Sequence, residues 1–228
     1  MGAEALLHAA VINNARWCDA VCRSHGHPGE FTDRMWASTR HCLPFYPNAI
    51  TLSPDATAVE ATAGQDPSGP CSVKDSFARL DLAPEGLTPL FDAEWIVLPA
   101  SAGGEDPSWD AVTDPGELAR WEAVWADGAD VTGLFRPELL ADPRCAILAC
   151  RRDGTLIGGA IAYTADGVTG ISNVFKSGFA DAVRAVAALR PGLPVVGYER
   201  GEDLAAARQA GFRVLGPLRV WARGSAVP

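Results

Sequence analysis

Two carboxylates open the search for chemistry. Asp92 and Glu94 stand two apart in Leu90–Leu98, a run that alternates like a strand, so both fall on one face and Trp95 on the other. Two acids on one strand face could gather a cationic amine, or could simply face solvent. Asp75, in Lys74-Asp75-Ser76-Phe77, offers the same choice. Glu199 follows an apolar run and could accept a proton or bind an amine; the plain reading is a solvated pair with Arg200. Cys18, Cys22, His25 and His27 invite a metal reading, because the two cysteines share a helix face and a zinc site needs four ligands in tetrahedral array. Their spacing is no established zinc pattern and cysteine is a common small core residue, so no metal is expected. A cysteine nucleophile would need an adjacent base, for which His25 is the candidate. Trp17, Trp36 and Tyr46 could line a pocket in the N-terminal part, whereas Trp121 and Trp125, at helical spacing, read as packing.

The chain around these residues is of globular composition. It has 228 residues, 48% hydrophobic and 21% charged, enough to bury a sizeable core. The net charge of −9 repels phosphate backbones and disfavours nucleic acid as a general partner. No apolar run approaches the ~20 residues of a membrane helix. Residues 1–10 carry an acid and no basic lead, unlike a secretory signal, so a cytoplasmic location is expected. Six cysteines in a chain of this length do not make a disulfide scaffold. The usage of Ala, Gly, Pro, Arg and Asp, with few Lys, points to a GC-rich bacterial genome.

The elements that must position the candidates follow from period and punctuation. Ala3–Arg23 has apolar residues at helical spacing, and Ser24-His25-Gly26 stops it, with Gly26 as the C-terminal cap. Residues 27–47 read as irregular but packed. Ala49–Leu52 is a short strand and residues 62–70 a loop. Pro84-Glu85-Gly86 is turn chemistry, so Ser72–Leu82 and Leu90–Leu98 are expected to pair as a hairpin. Residues 101–107 read as a loop. Asp114-Pro115 opens a helix with Leu118, Trp121, Val124 and Trp125 on its apolar side. A shorter helix spans Arg136–Ala141. Cys145–Cys150, Leu156–Tyr163 and Val168–Phe175 form a meander through two Asp-Gly turns. Phe179–Leu189 is a helix, Leu193–Tyr198 a strand and Asp203–Ala210 a helix stopped by Gly211. Phe212–Ala222 holds one strand or two, interrupted at Gly216-Pro217.

From Leu90 onward this order, with Leu193-Pro194-Val195-Val196-Gly197-Tyr198-Glu199, Asp203-Leu204-Ala205-Ala206-Ala207 and Gly211-Phe212, resembles the GNAT superfamily of N-acetyltransferases. The resemblance implies an α/β fold, a mixed and mostly antiparallel central sheet flanked by helices. It divides the chain into an N-terminal helical and irregular extension, 1–70, and a GNAT-like acyltransferase domain, 71–228.

It also implies a mechanism. The family's fourth and fifth strands splay, acetyl-CoA or another acyl-CoA lies between them as donor, and its pyrophosphate meets backbone N–H groups at the next helix start. A small amine or amino-acid-like acceptor then attacks the thioester. Mapped by element, Ser172, Val174 and Phe175 lie on the donor strand, and Lys176, Ser177 and Gly178 occupy the phosphate loop. Glu199, Tyr198 and Asn173 become the catalytic candidates, and Asp92, Glu94 and Asp75 the acceptor-binding ones. The loop carries one glycine where the family has R/Q-x-x-G-x-G/A. Ala207 stands where many members have a tyrosine acid, which leaves Tyr198 as the substitute. Those departures keep two alternatives open. One is a non-catalytic binding protein of this fold. The other is a transferase using a non-CoA donor such as aminoacyl-tRNA, the one route by which nucleic acid would enter. Neither the oligomeric state nor the acceptor follows from the sequence.

Overall fold

The computed structural model describes residues 1–38, 43–100 and 108–224. Its centre is a long hairpin meander. β7 (Cys145–Arg152), β8 (Thr155–Ala165) and β9 (Val168–Phe175) are joined by two tight turns. Asp153, Gly154, Asp166 and Gly167 all take positive φ there, +50°, +75°, +54° and +76°, the geometry of a two-residue type I′ hairpin. β9 leads into α4 (Phe179–Leu189), then β10 (Val195–Glu199), α5 (Gly201–Gln209) and β11 (Arg213–Arg223). Before the meander come α1 (Ala3–Ser24), β1 (Glu30–Phe31), β2 (Met35–Ala37), β3 (Ala49–Thr51), α2 (Ala58–Thr62), β4 (Cys71–Asp75), β5 (Thr88–Leu98), β6 (Trp109–Ala111), α3 (Pro115–Ala126) and a 3₁₀ turn, Pro137–Ala141. The loop expected at residues 101–107 lies outside the described residues.

The described strands form one 11-stranded sheet in the order β1-β2-β3-β4-β11-β5-β10-β9-β8-β7-β6. Its pairs are antiparallel except β3–β4 and β9–β10. The mixed, mostly antiparallel sheet flanked by helices is the fold class expected. Three local expectations are corrected. β4 and β5 do not pair as a hairpin, because β11 inserts between them and pairs with both. The turn at Pro84-Glu85-Gly86 does form, with Gly86 N donating to Ala83 O and Leu87 N to Leu82 O, but it leads around β11 and not back onto β4. Residues 27–47 also carry two short strands, β1 and β2, so the N-terminal segment extends the sheet as well as supplying a helix. Gly216-Pro217 does not break β11; it lies at a bulge between Val214 and Gly216.

Each face of the sheet is covered. On one side α1 and α3 pack with Trp36, Trp95, Trp121 and Ile161; on the other α4 and α5 pack with Ile96, Ala160, Val195 and Phe212. Strand alternation explains the split, since Trp95 and Ile96, or Ala160 and Ile161, must point to opposite faces. The helix caps are local. Asp114 Oδ1 accepts from Glu117 N at 2.9 Å with Pro115 at the first helical position. α1 ends with Gly26 at φ +76° and with His27 N donating back to Cys22 O. No helix among the described residues is long and apolar enough to cross a membrane.

Candidate active site

β9 and β10 begin side by side and then part. They are in register only at Thr169–Val195 and Gly170–Val196. Beyond that β9 continues to Phe175 against β8, and β10 to Glu199 against β5. The opening is a V whose apex is tight: a Cβ on Gly197 would come within 3.2 Å of Ile171 O. β9 also carries a bulge on its β8 side, where Ile161 faces Ser172 and Gly159 faces Phe175, leaving Asn173 and Val174 out of the ladder. Asn173 has φ +53°, a value asparagine tolerates better than most residues. Extra strand residues leave backbone groups unpaired, so this edge offers donors and acceptors to a ligand in the gap.

A cavity of about 710 Å³ fills the V. That is within the ordinary range for small-molecule sites. It passes through the sheet. On the α1 side it is lined by Asn14, Trp17, Lys74 and Tyr198; on the α4/α5 side by Phe179, Glu199, Asp203 and Ala206. Neighbouring residues on β10 point to opposite faces, which separates Tyr198 from Glu199. The α1 wall is one helix face, Ala10, Asn13, Asn14, Trp17 and Cys18. Asn13 fastens that wall: its Nδ2 donates to Tyr163 O at 2.9 Å, near the β8–β9 turn.

Several expected residues meet here. Glu199 lies at the α5 mouth, where burial pushes its carboxyl up to about 7, with the nearby Asp203 charge adding to the effect. It makes no ion pair with Arg200, whose guanidinium stacks on the Phe91 ring at 4.6 Å instead. Tyr198 packs edge-on against Trp95, ring centroids 5.5 Å apart. Asn173 and Ser172 are joined, Nδ2 donating to Oγ at 3.0 Å. Val174, Phe175, Lys176 and Ser177 also line the cavity. Lys176 Nζ is tied to Asp127 Oδ1 at 2.6 Å, and the buried Ser177 hydroxyl has no hydrogen-bond partner. Gly178 is the N-cap of α4, and no side chain caps that helix start.

The three acceptor-binding candidates lie outside the cavity lining. Asp92 is exposed and bidentate with Arg219, at 2.6 and 2.8 Å, which holds its carboxyl below the usual range. Asp75 is buried and closes a turn, accepting from Leu80 N at 2.7 Å and Phe77 N at 3.3 Å. Glu94 sits directly across from Glu199 in the β5–β10 register. Of the N-terminal aromatics, Trp17 and Tyr46 line the cavity. Trp36 is wholly buried and donates Nε1 to Asp19 Oδ1 at 3.1 Å. Cys18 is buried, which raises its thiol and weakens it as a nucleophile, and His25 Nε2 lies 2.9 Å from Leu134 O. Among the described residues no three His, Cys, Asp or Glu side chains come together as a metal site.

Sequence reasoning missed Lys74 and Asn14. Lys74 is 4% exposed. Its Nζ donates to Asn14 Oδ1 at 2.7 Å and to the Tyr198 hydroxyl at 3.4 Å, and lies 4.4 Å from the Tyr198 ring centroid. The one available signal was a lone lysine at an alternate position of a short buried strand.

No protein-family model matches the sequence, and no curated protein matches it. Solved structures do. A GCN5-related N-acetyltransferase from Kribbella flavida is 14% identical, with a TM-score of 0.58 over 95% of this chain and 96% of that one. A GNAT-family protein from Novosphingobium aromaticivorans is 16% identical, with a TM-score of 0.58 over 90% and 94%. A conserved protein of unknown function from Staphylococcus epidermidis is 12% identical, with a TM-score of 0.60 over 85% and 92%. At these identities the likeness is one of fold.

Proposed function

Because the chain has the fold of the GCN5-related N-acetyltransferases, we propose that it is an acyl-CoA-dependent N-acyltransferase acting on a small amine or amino-acid-like acceptor. The observation that carries this reading is the V between β9 and β10, with a bulged, unpaired edge on one arm and a cavity running through the sheet. An extended amide-bearing arm can add to that edge as a strand would. The uncapped start of α4 and the orphaned Ser177 hydroxyl suit an oxyanion next to it.

In this reading the acceptor sits on the α1 side and its nitrogen attacks the thioester carbonyl at the V. The C–N bond forms and the C–S bond breaks. Glu199, near half-ionised at neutral pH, accepts the amine proton across the gap. Tyr198 donates its hydroxyl proton to the leaving sulfur. Ser172 and Asn173 orient the reacting groups from the bulge. Residues 71–228 form the transfer unit, and 1–70 supply α1 as the acceptor wall. The protein works in the cytoplasm on freely diffusing substrates.

Two features favour a second reading, a binding protein of the same fold without turnover. Lys176 is already paired with Asp127, and Asp181 places an acid in the first turn of α4. Calorimetric titration with acetyl-CoA and free CoA decides between them. The transferase reading expects a Kd of roughly micromolar, about −8 kcal/mol. No heat at ~1 mM ligand, on the same scale, refutes it.

A further inference from the structure

Lys74 is a cation buried inside the sheet, at the α1 side of the cavity, with no acid paired to it among the described residues. Among the described residues it makes no ion pair. Its partners are an amide oxygen, a phenol hydroxyl and an aromatic face. An ammonium has three donors and no acceptor. One strong bond, to Asn14, and one long one, to Tyr198, leave it under-satisfied. Desolvating a charge without a counter-charge is strongly unfavourable, so apolar packing alone would select a neutral side chain here.

The surroundings also hold Lys74 in place. Its strand, β4, is clamped between β3 and β11, with Lys74 in register with Ile50 and Val220. Asn14 reaches it from the same helix face that Asn13 fastens to β8. The ammonium therefore has a fixed position next to the Tyr198 hydroxyl, on the α1 side of the cavity. Around it the cavity is aromatic, with Trp17, Tyr46 and Trp95, so an anion arriving there is screened from water and strongly held.

We infer that Lys74, with Asn14, is the recognition site for a carboxylate borne by the substrate, and that the acceptor is an amine carrying such a group, as an amino acid does. One monovalent cation flanked by neutral groups matches a singly charged carboxylate better than a dianionic phosphate. A carboxylate could also arrive on the far end of a dicarboxylic acyl chain, and the experiment separates the two sources. The inference rests on the transferase reading for its acceptor, but the anion site itself stands on the geometry of Lys74.

The test is binding, read by tryptophan fluorescence because Trp17 and Trp95 line the cavity. Wild-type protein is titrated with the proteinogenic amino acids and with their carboxamides, and separately with succinyl-CoA and butyryl-CoA. Acid over amide by about tenfold or more, the worth of a charge-assisted hydrogen bond, is expected for at least one amino acid. Lys74→Met should abolish that preference and Lys74→Arg retain part of it. Preference for succinyl-CoA over butyryl-CoA, lost in Lys74→Met, would move the carboxylate to the acyl group and overturn the acceptor assignment. Equal affinity for acids and amides, or no binding of any member, overturns the proposal. The comparison of ligands on wild-type protein needs no variant to fold. Acetyl-CoA titrated into the same preparation distinguishes the two failures. Donor binding without acid preference sinks the anion site alone, and acid preference without donor binding sinks the transferase alone.

Discussion

Replacing Glu199 by Gln should make the protein more stable at pH 8 and no more stable at pH 4. Burial and the Asp203 charge raise the carboxyl from 4.5 to about 7 in the folded chain. Between those two pH values the folded state holds a proton that the unfolded state has lost. Stability from this group is complete below about 4.5, falls as pH rises, and is gone above about 7. At ~1.4 kcal/mol per pH unit the full cost of carrying the ionised form is about 3.5 kcal/mol. Glu199 lies at the cavity mouth and keeps some solvent, so a gain of about 1–3 kcal/mol is the working range. Glutamine preserves the shape and the neutral state, and therefore removes the cost without changing the packing. Urea denaturation of both proteins at pH 4, 6 and 8 measures it, because the titrating groups not coupled to Glu199 cancel in the difference. A gain that is the same at all three pH values would place its cause outside ionisation. No gain at pH 8 would refute the claim that the Glu199 carboxylate is held ionised at a cost. A raised, costly carboxylate in a cleft is a common mark of a functional group.

Turnover of the same variant should fall by about 10²-fold or more at pH 7, and the rise in wild-type rate through about pH 7 should disappear. Gly170→Ala should cost about 1–3 kcal/mol in thermal or urea unfolding, because its Cβ would overlap Asn13 Oδ1 and displace the amide that fastens α1 to Tyr163 O. The same substitution should loosen ligand binding in the fluorescence titration, since α1 is a cavity wall. Asp114→Ala should cost about 1 kcal/mol through loss of the α3 cap, measured by thermal melting, with turnover unchanged. Asp92→Ala should leave turnover unchanged and shift stability by no more than about 0.5 kcal/mol, since its pair with Arg219 is exposed. A marked loss of activity in that variant would return Asp92 to the acceptor site.

What the sequence by itself determined was local. Asp153-Gly154 and Asp166-Gly167 demand positive φ, so the β7–β8–β9 meander could be read from four residues. Asp114-Pro115 carries its own cap, and of the apolar stripe Val183, Val186, Ala187 and Leu189 that the helical spacing marks on α4, the first three are buried. Glu199, Tyr198, Ser172 and Asn173 were legible as candidates because they end or line strands whose order could be matched to a known framework, and all four line the cavity. The tertiary structure decided what no local rule encodes. Pro84-Glu85-Gly86 is sound turn chemistry, yet β11, arriving more than a hundred residues later, wedges between the strands it seemed to join. Asp92, Glu94 and Asp75 share the chemistry of acceptor-binding acids, but strand pairing sends them to an exposed ion pair, a cross-strand position and a buried turn. Lys74 is ordinary in sequence, and it becomes a buried cation only because β4, α1 and β10 converge, with Tyr198 124 residues away along the chain. Turns and caps depend on torsions within a few residues, whereas the sign and surroundings of a buried charge depend on which distant segments exclude water around it.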